Sequence, residues 1–138
     1  MVKIKKNLIG FFGGSFDPPH VGHLKISIRS IKKLKLDKIY WIIAKKNPFK
    51  KKPFFKLNER IRKSKRLAKN NKKIEVKFLD KIVKSSRTIN ILKYLIKKNK
   101  NSKFYVIIGS DNLINFHKWK EHEKILNLSK LVVFSRYG

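Results

Sequence analysis

Short apolar runs alternate with amphipathic stretches along the whole chain. Leu8–Phe12 is a compact apolar run with charge before it and glycine after it, which predicts a buried strand. From His20 to about Lys35 the apolar positions Val21, Leu24, Ile28 and Ile31 recur at helical spacing. Lys38–Ala44 predicts a second buried strand, and Lys45–Lys56 a lysine-rich loop carrying Pro48 and Pro53. Leu57, Ile61, Ser64 and Ala68 mark one face of a second helix, ended near Asn70-Asn71. Ile74–Phe78 alternates as a third strand, and Lys81–Ser86 reads as a connector. Thr88–Asn99 predicts a third helix with Ile89, Leu92 and Ile96 on one face, and Lys103–Gly109 a fourth strand. Asp111–Phe116 and Glu121–Leu128 predict two short helical pieces before a fifth strand at Lys130–Ser135.

This alternation predicts the α/β class. Central strands that are apolar throughout, rather than at every second position, require cover on both faces, as in a parallel sheet. Right-handed crossovers then give a doubly wound, Rossmann-like order, with ligands beyond the carboxyl ends of the strands. The loops after strands one, two and four (Gly13–His23, Lys45–Lys52 and Gly109–Trp119) fall at that one edge. The length of 138 residues fits a single domain, 1–138, without internal repeats. A chain of this size buries roughly 70% of its unfolded surface, enough for a core.

Composition narrows the setting. The net charge of +29 points first to a polyanion partner. Only six of the 37 basic residues are arginine, lysine is spread through every segment, and alanine occurs only at Ala44 and Ala68. Lysine, isoleucine and asparagine share A/T-rich codons, so genome bias explains the charge without a specific nucleic-acid partner. Weak, salt-sensitive adhesion to polyanions is still expected. The chain has no cysteine, which excludes disulfides and thiolate metal sites and suits a reducing compartment. The apolar runs Tyr40–Ala44 and Phe104–Ile108 fall far short of the roughly 20 residues a spanning helix needs, so a cytoplasmic protein without membrane attachment is expected. The pattern does not speak for any oligomeric state.

The chemistry concentrates in Gly13-Gly14-Ser15-Phe16-Asp17-Pro18-Pro19-His20-Val21-Gly22-His23. Two glycines open a strand-to-helix junction where backbone can approach an anion, and a helix N-terminus offers N–H groups and a positive dipole end. The segment is neither G-x-G-x-x-G nor G-x-x-x-x-G-K-[ST], which disfavours hydride transfer and the common NTPase loop. His20 and His23, three apart on a first turn, can both face a bound anion. A metal site is weakly supported, because His117 and His122 are the only other histidines and Asp17 the only nearby carboxylate. Asp17 with Pro18-Pro19 reads as turn chemistry.

The His-x-Gly-His segment resembles the signature of the HxGH nucleotidyltransferase superfamily, and within it bacterial nicotinate-nucleotide adenylyltransferases. Three further stretches carry the likeness: Asn47-Pro48-Phe49-Lys50, Ser86-Arg87-Thr88-Ile89-Asn90-Ile91-Leu92, and Ile107-Ile108-Gly109-Ser110-Asp111-Asn112-Leu113 followed by Phe116-His117-Lys118-Trp119. The resemblance covers essentially the whole chain and implies a Rossmann-like nucleotidyltransferase fold. It implies adenylyl transfer from ATP to nicotinate mononucleotide, giving deamido-NAD and pyrophosphate, with no covalent enzyme intermediate. His20 and His23 would stabilise charge on the transferring phosphates. Gly13, Gly14, Ser15, Phe16, Gly109 and Asp111 would line the ATP site, with Asp111 on a sugar hydroxyl. Lys50, Thr88 and Trp119 would serve the mononucleotide, Trp119 stacking on its pyridine ring and Lys50 neutralising phosphate. Mg²⁺ would arrive with ATP, with no metal site made of protein ligands.

Other roles compete residue by residue. Thr88 and Asp111 sit where helix N-caps belong, Trp119 can close a core, and Lys50 can be one solvated lysine among many. Arg87, Ile91 and His122 depart from the family's usual aromatic, threonine and second tryptophan. The family's I-S-[ST]-T-x-[IL]-R segment has no counterpart before Gly138, so a C-terminally shortened form is expected. Two alternatives stay open at this stage. One is another HxGH adenylyltransferase, with a nicotinamide mononucleotide or phosphopantetheine acceptor. The other is a non-catalytic basic nucleic-acid-binding domain.

Overall fold

The computed structural model describes residues 5–45 and 52–135. Five strands form one parallel sheet: β1 (Asn7–Gly14), β2 (Lys38–Ile43), β3 (Ile74–Lys77), β4 (Ser102–Gly109) and β5 (Lys130–Phe134), in the order β3-β2-β1-β4-β5. The helices are α1 (Val21–Leu34), α2 (Leu57–Ala68), α3 (Asp80–Val83), α4 (Thr88–Lys98), α5 (Ser110–Leu113) and α6 (His122–Leu128), with a 3-10 turn at Phe116–Lys118. The order reverses between β1 and β4, so the switch point lies at the carboxyl end of β1. This is the doubly wound α/β sheet expected from the pattern.

The two-residue period of a strand sorts the core into two layers. Ile9, Phe11, Tyr40, Ile42, Phe104, Val106 and Ile108 point to one face, where Ile89, Leu92 and Leu95 of α4 and Ile125 of α6 cover them. Phe12, Ile39, Trp41, Ile43 and Ile107 point to the other, covered by Leu24 and Ile31 of α1 and Ala68 of α2. Gly10 leaves room on this second face. A Cβ there would lie 2.9 Å from Ile39 and 3.0 Å from Leu36.

Three expectations change. First, the buried row of α1 is Ser27 and Ser30, while Val21 is 57% and Ile28 36% exposed. The serines are small enough to bring the helix close to the sheet, and their hydroxyls are satisfied locally. Ser27 Oγ donates to the His23 carbonyl at 2.8 Å, and Ser30 Oγ to the Ile26 carbonyl at 2.7 Å. Second, the connector before α4 contains helix α3. Third, both glycines belong to the strand, since Gly13 pairs with Ile42 and Gly14 with Ile43. The left-handed residue of that loop is Phe16, at φ 51°.

Candidate active site

Helix α1 opens on a capping box built from two histidines. His20 is the N-cap in extended backbone (φ −145°, ψ 173°), and its Nδ1 accepts from the Gly22 amide at 3.0 Å. His23 Nδ1 accepts in turn from the His20 amide at 3.0 Å. Two donors of α1 are thereby satisfied by imidazoles in place of the usual hydroxyl and carboxylate. The same bonds settle the tautomers. A ring nitrogen that accepts from a backbone N–H carries a lone pair, so the neutral ring holds its proton on Nε2. Each ring is thus a one-proton donor oriented by the helix itself. The rings lie 4.0 Å apart between centroids, and His23 packs 4.6 Å from the Phe16 ring.

Gly22 is required by this geometry. A Cβ there would lie 2.7 Å from two atoms of the His20 ring, so any larger residue would push the ring off its cap.

At the same edge of the sheet a cleft of about 760 Å³ opens at the switch point. Gly13, Gly14 and Ser15 form one wall, Thr88 and Ile91 of α4 another, and Asn112, Lys118 and Trp119 after β4 a third. The wall carries Arg87, Lys118 and Lys120 against one carboxylate, Asp80, a balance that favours an anionic ligand. Thr88 is the first residue of α4, and its N-cap is Arg87, which makes no side-chain cap. Trp119 is half-buried with its ring 5.1 Å from Phe116, so it packs on the core and lines the cleft as well.

Gly109 clears space for Asp111. A Cβ at Gly109 would lie 2.7 Å from Asp111 Oδ1. Gly109 is itself the N-cap of α5, and Asp111 stands exposed within the helix.

The structure brings Gly13, Gly14, Ser15, Thr88 and Trp119 into the cleft wall. His20, His23, Gly109 and Asp111 stand outside that wall, on the elements that leave β1 and β4 at the same edge. Phe16, expected to line the ATP site, is 2% exposed and stacks on Trp41 at 5.3 Å, so the residue is part of the core and not of the cleft wall. Its aromatic ring belongs to the core because the left-handed turn folds it back under α1. Lys50, with the Asn47–Lys50 stretch, lies outside the described residues. Asp17, expected to act in its own turn, instead makes a long-range tie: its carboxylate accepts from the Phe54 and Phe55 amides ahead of α2.

Two residues at this edge escaped the sequence pattern. Arg60 of α2 is 1% exposed and donates to four backbone carbonyls, those of Phe55, Ser15, Ala44 and Lys45, at 2.9–3.1 Å. It reads as one basic residue among many, and its only signal is the four-residue row it forms with Ser64 and Ala68. The other is Asp80, whose Oδ2 accepts from the Lys45 amide at 3.0 Å while Oδ1 is buried with no hydrogen-bond partner.

Burial holds the Asp80 carboxyl above its ordinary 3.8, against the lowering pull of the Lys45 amide and of the Lys45 and Arg60 charges. Between 3.8 and the raised value the folded chain keeps a proton that the unfolded chain has lost, so stability falls as pH rises through that window. Asp80→Asn removes this titration. The stability gap between wild type and variant should therefore tilt with pH in urea unfolding as the pH rises above 3.8. Parallel profiles would contradict the assignment.

The chain is similar to known proteins over most of its length. The cytidylyltransferase-like family model matches residues 11–137. A probable nicotinate-nucleotide adenylyltransferase from Pelagibacter ubique (strain HTCC1062) is 46% identical over 134 residues, covering 97% of this chain and 74% of that protein. One from Rhizobium meliloti (strain 1021) is 34% identical over 131 residues, covering 94% of this chain and 69% of that protein. A solved structure of Plasmodium falciparum nicotinic acid mononucleotide adenylyltransferase, complexed with NaAD, superposes with a TM-score of 0.74 at 21% identity, covering 94% of this chain and 75% of that one. That last likeness is one of fold. The family match and the relatives' identities carry the assignment: the chain belongs to the nicotinate-nucleotide adenylyltransferase family of cytidylyltransferase-like proteins.

Proposed function

We propose that the protein transfers the adenylyl group of ATP to nicotinate mononucleotide, forming deamido-NAD and pyrophosphate in NAD biosynthesis. The observation that carries this reading is that one sheet edge carries both a pair of oriented histidines at the start of α1 and a cationic cleft lined by Gly13, Gly14 and Ser15. The relatives named for this activity support it. A phosphate oxygen of the mononucleotide attacks the α-phosphorus of ATP, and the bond to the β-phosphate bridge oxygen breaks with its electrons leaving on pyrophosphate. No covalent enzyme intermediate is needed, so catalysis consists of positioning and charge stabilisation.

In this reading His20 and His23 donate their Nε2 protons as hydrogen bonds to the phosphate oxygens on which charge builds. Gly13, Gly14 and Ser15 line the path of the ATP phosphates, and Gly109 and Asp111 serve its sugar. Thr88 and Trp119 hold the pyridine mononucleotide, and Lys50 contributes charge to the phosphates. The chain works as one domain. The cysteine-free composition suits the reducing cytoplasm in which this reading places the reaction.

Mg²⁺ fits as an ion carried by ATP. Among the described residues no group of three His, Cys, Asp or Glu is placed to hold a metal, and Mg²⁺ commonly takes phosphate and water with one or two carboxylates. When bound it neutralises phosphate charge. Among the described residues no helix is long and apolar enough to cross a membrane.

The test compares acceptors under identical conditions, reading pyrophosphate release with ATP and Mg²⁺. Nicotinate mononucleotide is expected to support release well above nicotinamide mononucleotide or phosphopantetheine. A preference for either of the other two would overturn the substrate assignment. A separate variant tests the stacking role. Trp119→Ala is expected to raise KM for the mononucleotide about tenfold and leave KM for ATP within about twofold, as loss of one aromatic contact implies. Equal change in both constants would contradict it.

A further inference from the structure

Arg60 has no carboxylate within ion-pair distance among the described residues, yet it is 1% exposed. A buried guanidinium is costly unless its donors are all used in good geometry. Here four backbone carbonyls take four of its five donors. Nη1 bridges the carbonyls of Ser15 and Ala44, both at 2.9 Å; Nη2 reaches Lys45 at 2.9 Å; Nε reaches Phe55 at 3.1 Å. These acceptors belong to three backbone segments: the loop after β1, the end of β2, and the approach to α2. The junction is closed by two more ties. The Ala44 amide donates to the Gly14 carbonyl at 2.9 Å, and the Asp17 carboxylate accepts from the Phe54 and Phe55 amides. A rigid planar fork with five donors suits such a task; a lysine ammonium, one point charge on a flexible stem, does not.

We propose that Arg60, assisted by Asp17, is a positioning residue that fixes the Gly13–Ser15 backbone against the end of β2. In this way it sets where the glycine backbone and the following histidines meet the ATP phosphates. The proposal rests on the adenylyl-transfer reading above. It assigns Arg60 no contact with substrate. Its effect is expected on the ATP half of the site, because its hydrogen bonds among the described residues reach the loops after β1 and β2 and the approach to α2, whereas Thr88 and Trp119 stand on α4 and after β4.

The test measures kcat and both KM values for Arg60→Lys, Arg60→Met and Asp17→Asn, at temperatures where circular dichroism shows each folded. Binding of a non-hydrolysable ATP analogue is measured alongside. Arg60→Lys and Arg60→Met are expected to lose about 100-fold in kcat/KM for ATP, the scale of a small misplacement of reacting groups, while KM for the mononucleotide moves less than about threefold. The retained charge of Arg60→Lys should give little rescue. Should Arg60→Met fail to fold, Asp17→Asn reports the same junction from its exposed side, with an expected loss of about tenfold on ATP alone.

A purely structural role would lower the melting temperature and leave these constants unchanged, and that result overturns the proposal. Equal losses toward both substrates also overturn it. If wild type releases no pyrophosphate, the adenylyl-transfer reading fails. Analogue binding then still scores Arg60, since unaltered binding by the folded variants counts against it.

Discussion

Replacing His20 by serine and His23 by glutamine together is expected to leave the chain folded and slow turnover about 10³-fold. The double variant rebuilds the capping box in its usual chemistry. The introduced serine accepts from the helix amide, and the introduced glutamine, at the third helical position, reaches back to the cap amide. The stability change should stay below about 1 kcal/mol, since one good cap replaces another. What disappears is the pair of Nε2–H donors. One such donor is typically worth about 2.7–4 kcal/mol in a transition state, and two acting on the same charge do not add fully. His20→Ala would confuse the two effects by removing cap and donor at once. Urea unfolding with steady-state rates separates them. A stable double variant with near-wild-type turnover would remove the histidines from the chemistry.

Trp41→Ala is expected to cost about 3–5 kcal/mol of stability. Trp41 is 0% exposed in the middle of β2, stacked on Phe16 and 6.2 Å from the His23 ring. Its Nε1 donates to Ser27 Oγ at 2.7 Å, and Ser27 donates to the carbonyl of His23. Truncation leaves a large void beneath the first turn of α1 and removes a buried donor from Ser27. Domains of this kind hold only about 5–15 kcal/mol in total, so the variant should unfold at far lower urea. Trp41→Phe keeps most of the volume but not the N–H, and should cost about 1–3 kcal/mol. A loss below about 1 kcal/mol for Trp41→Ala would mean that α1 is not anchored through this contact.

These two variants show what was legible in the chain. The central strands β1, β2 and β4 are readable because their apolar runs are buried on both faces, and the helices because Thr88–Lys98 and Leu57–Ala68 keep a helical period. The buried row of α1 was not, because hydrophobic spacing is blind to serines that pack by being small and by bonding their own helix. Arg60 was hidden for a related reason. A charged residue reads as solvated, and only the converging carbonyls show that it is not. The histidine pair stood out by motif, but its tautomers depend on two backbone amides visible only in three dimensions. Gly22 makes room for an imidazole, whereas Gly13 and Gly14 continue the strand and present bare backbone to the cleft. Helix α3 was missed because it is a single turn between polar residues.

The central claim is adenylyl transfer, and the fate of the α-phosphorus tests it most directly. The purified chain is incubated with Mg²⁺, nicotinate mononucleotide and ATP labelled either at the α- or at the γ-phosphorus. The account predicts that α-label enters a dinucleotide in step with pyrophosphate release, and that γ-label appears only in pyrophosphate. Folded protein that leaves the α-label in ATP, sends it to free AMP, or transfers γ-label to the mononucleotide would contradict it.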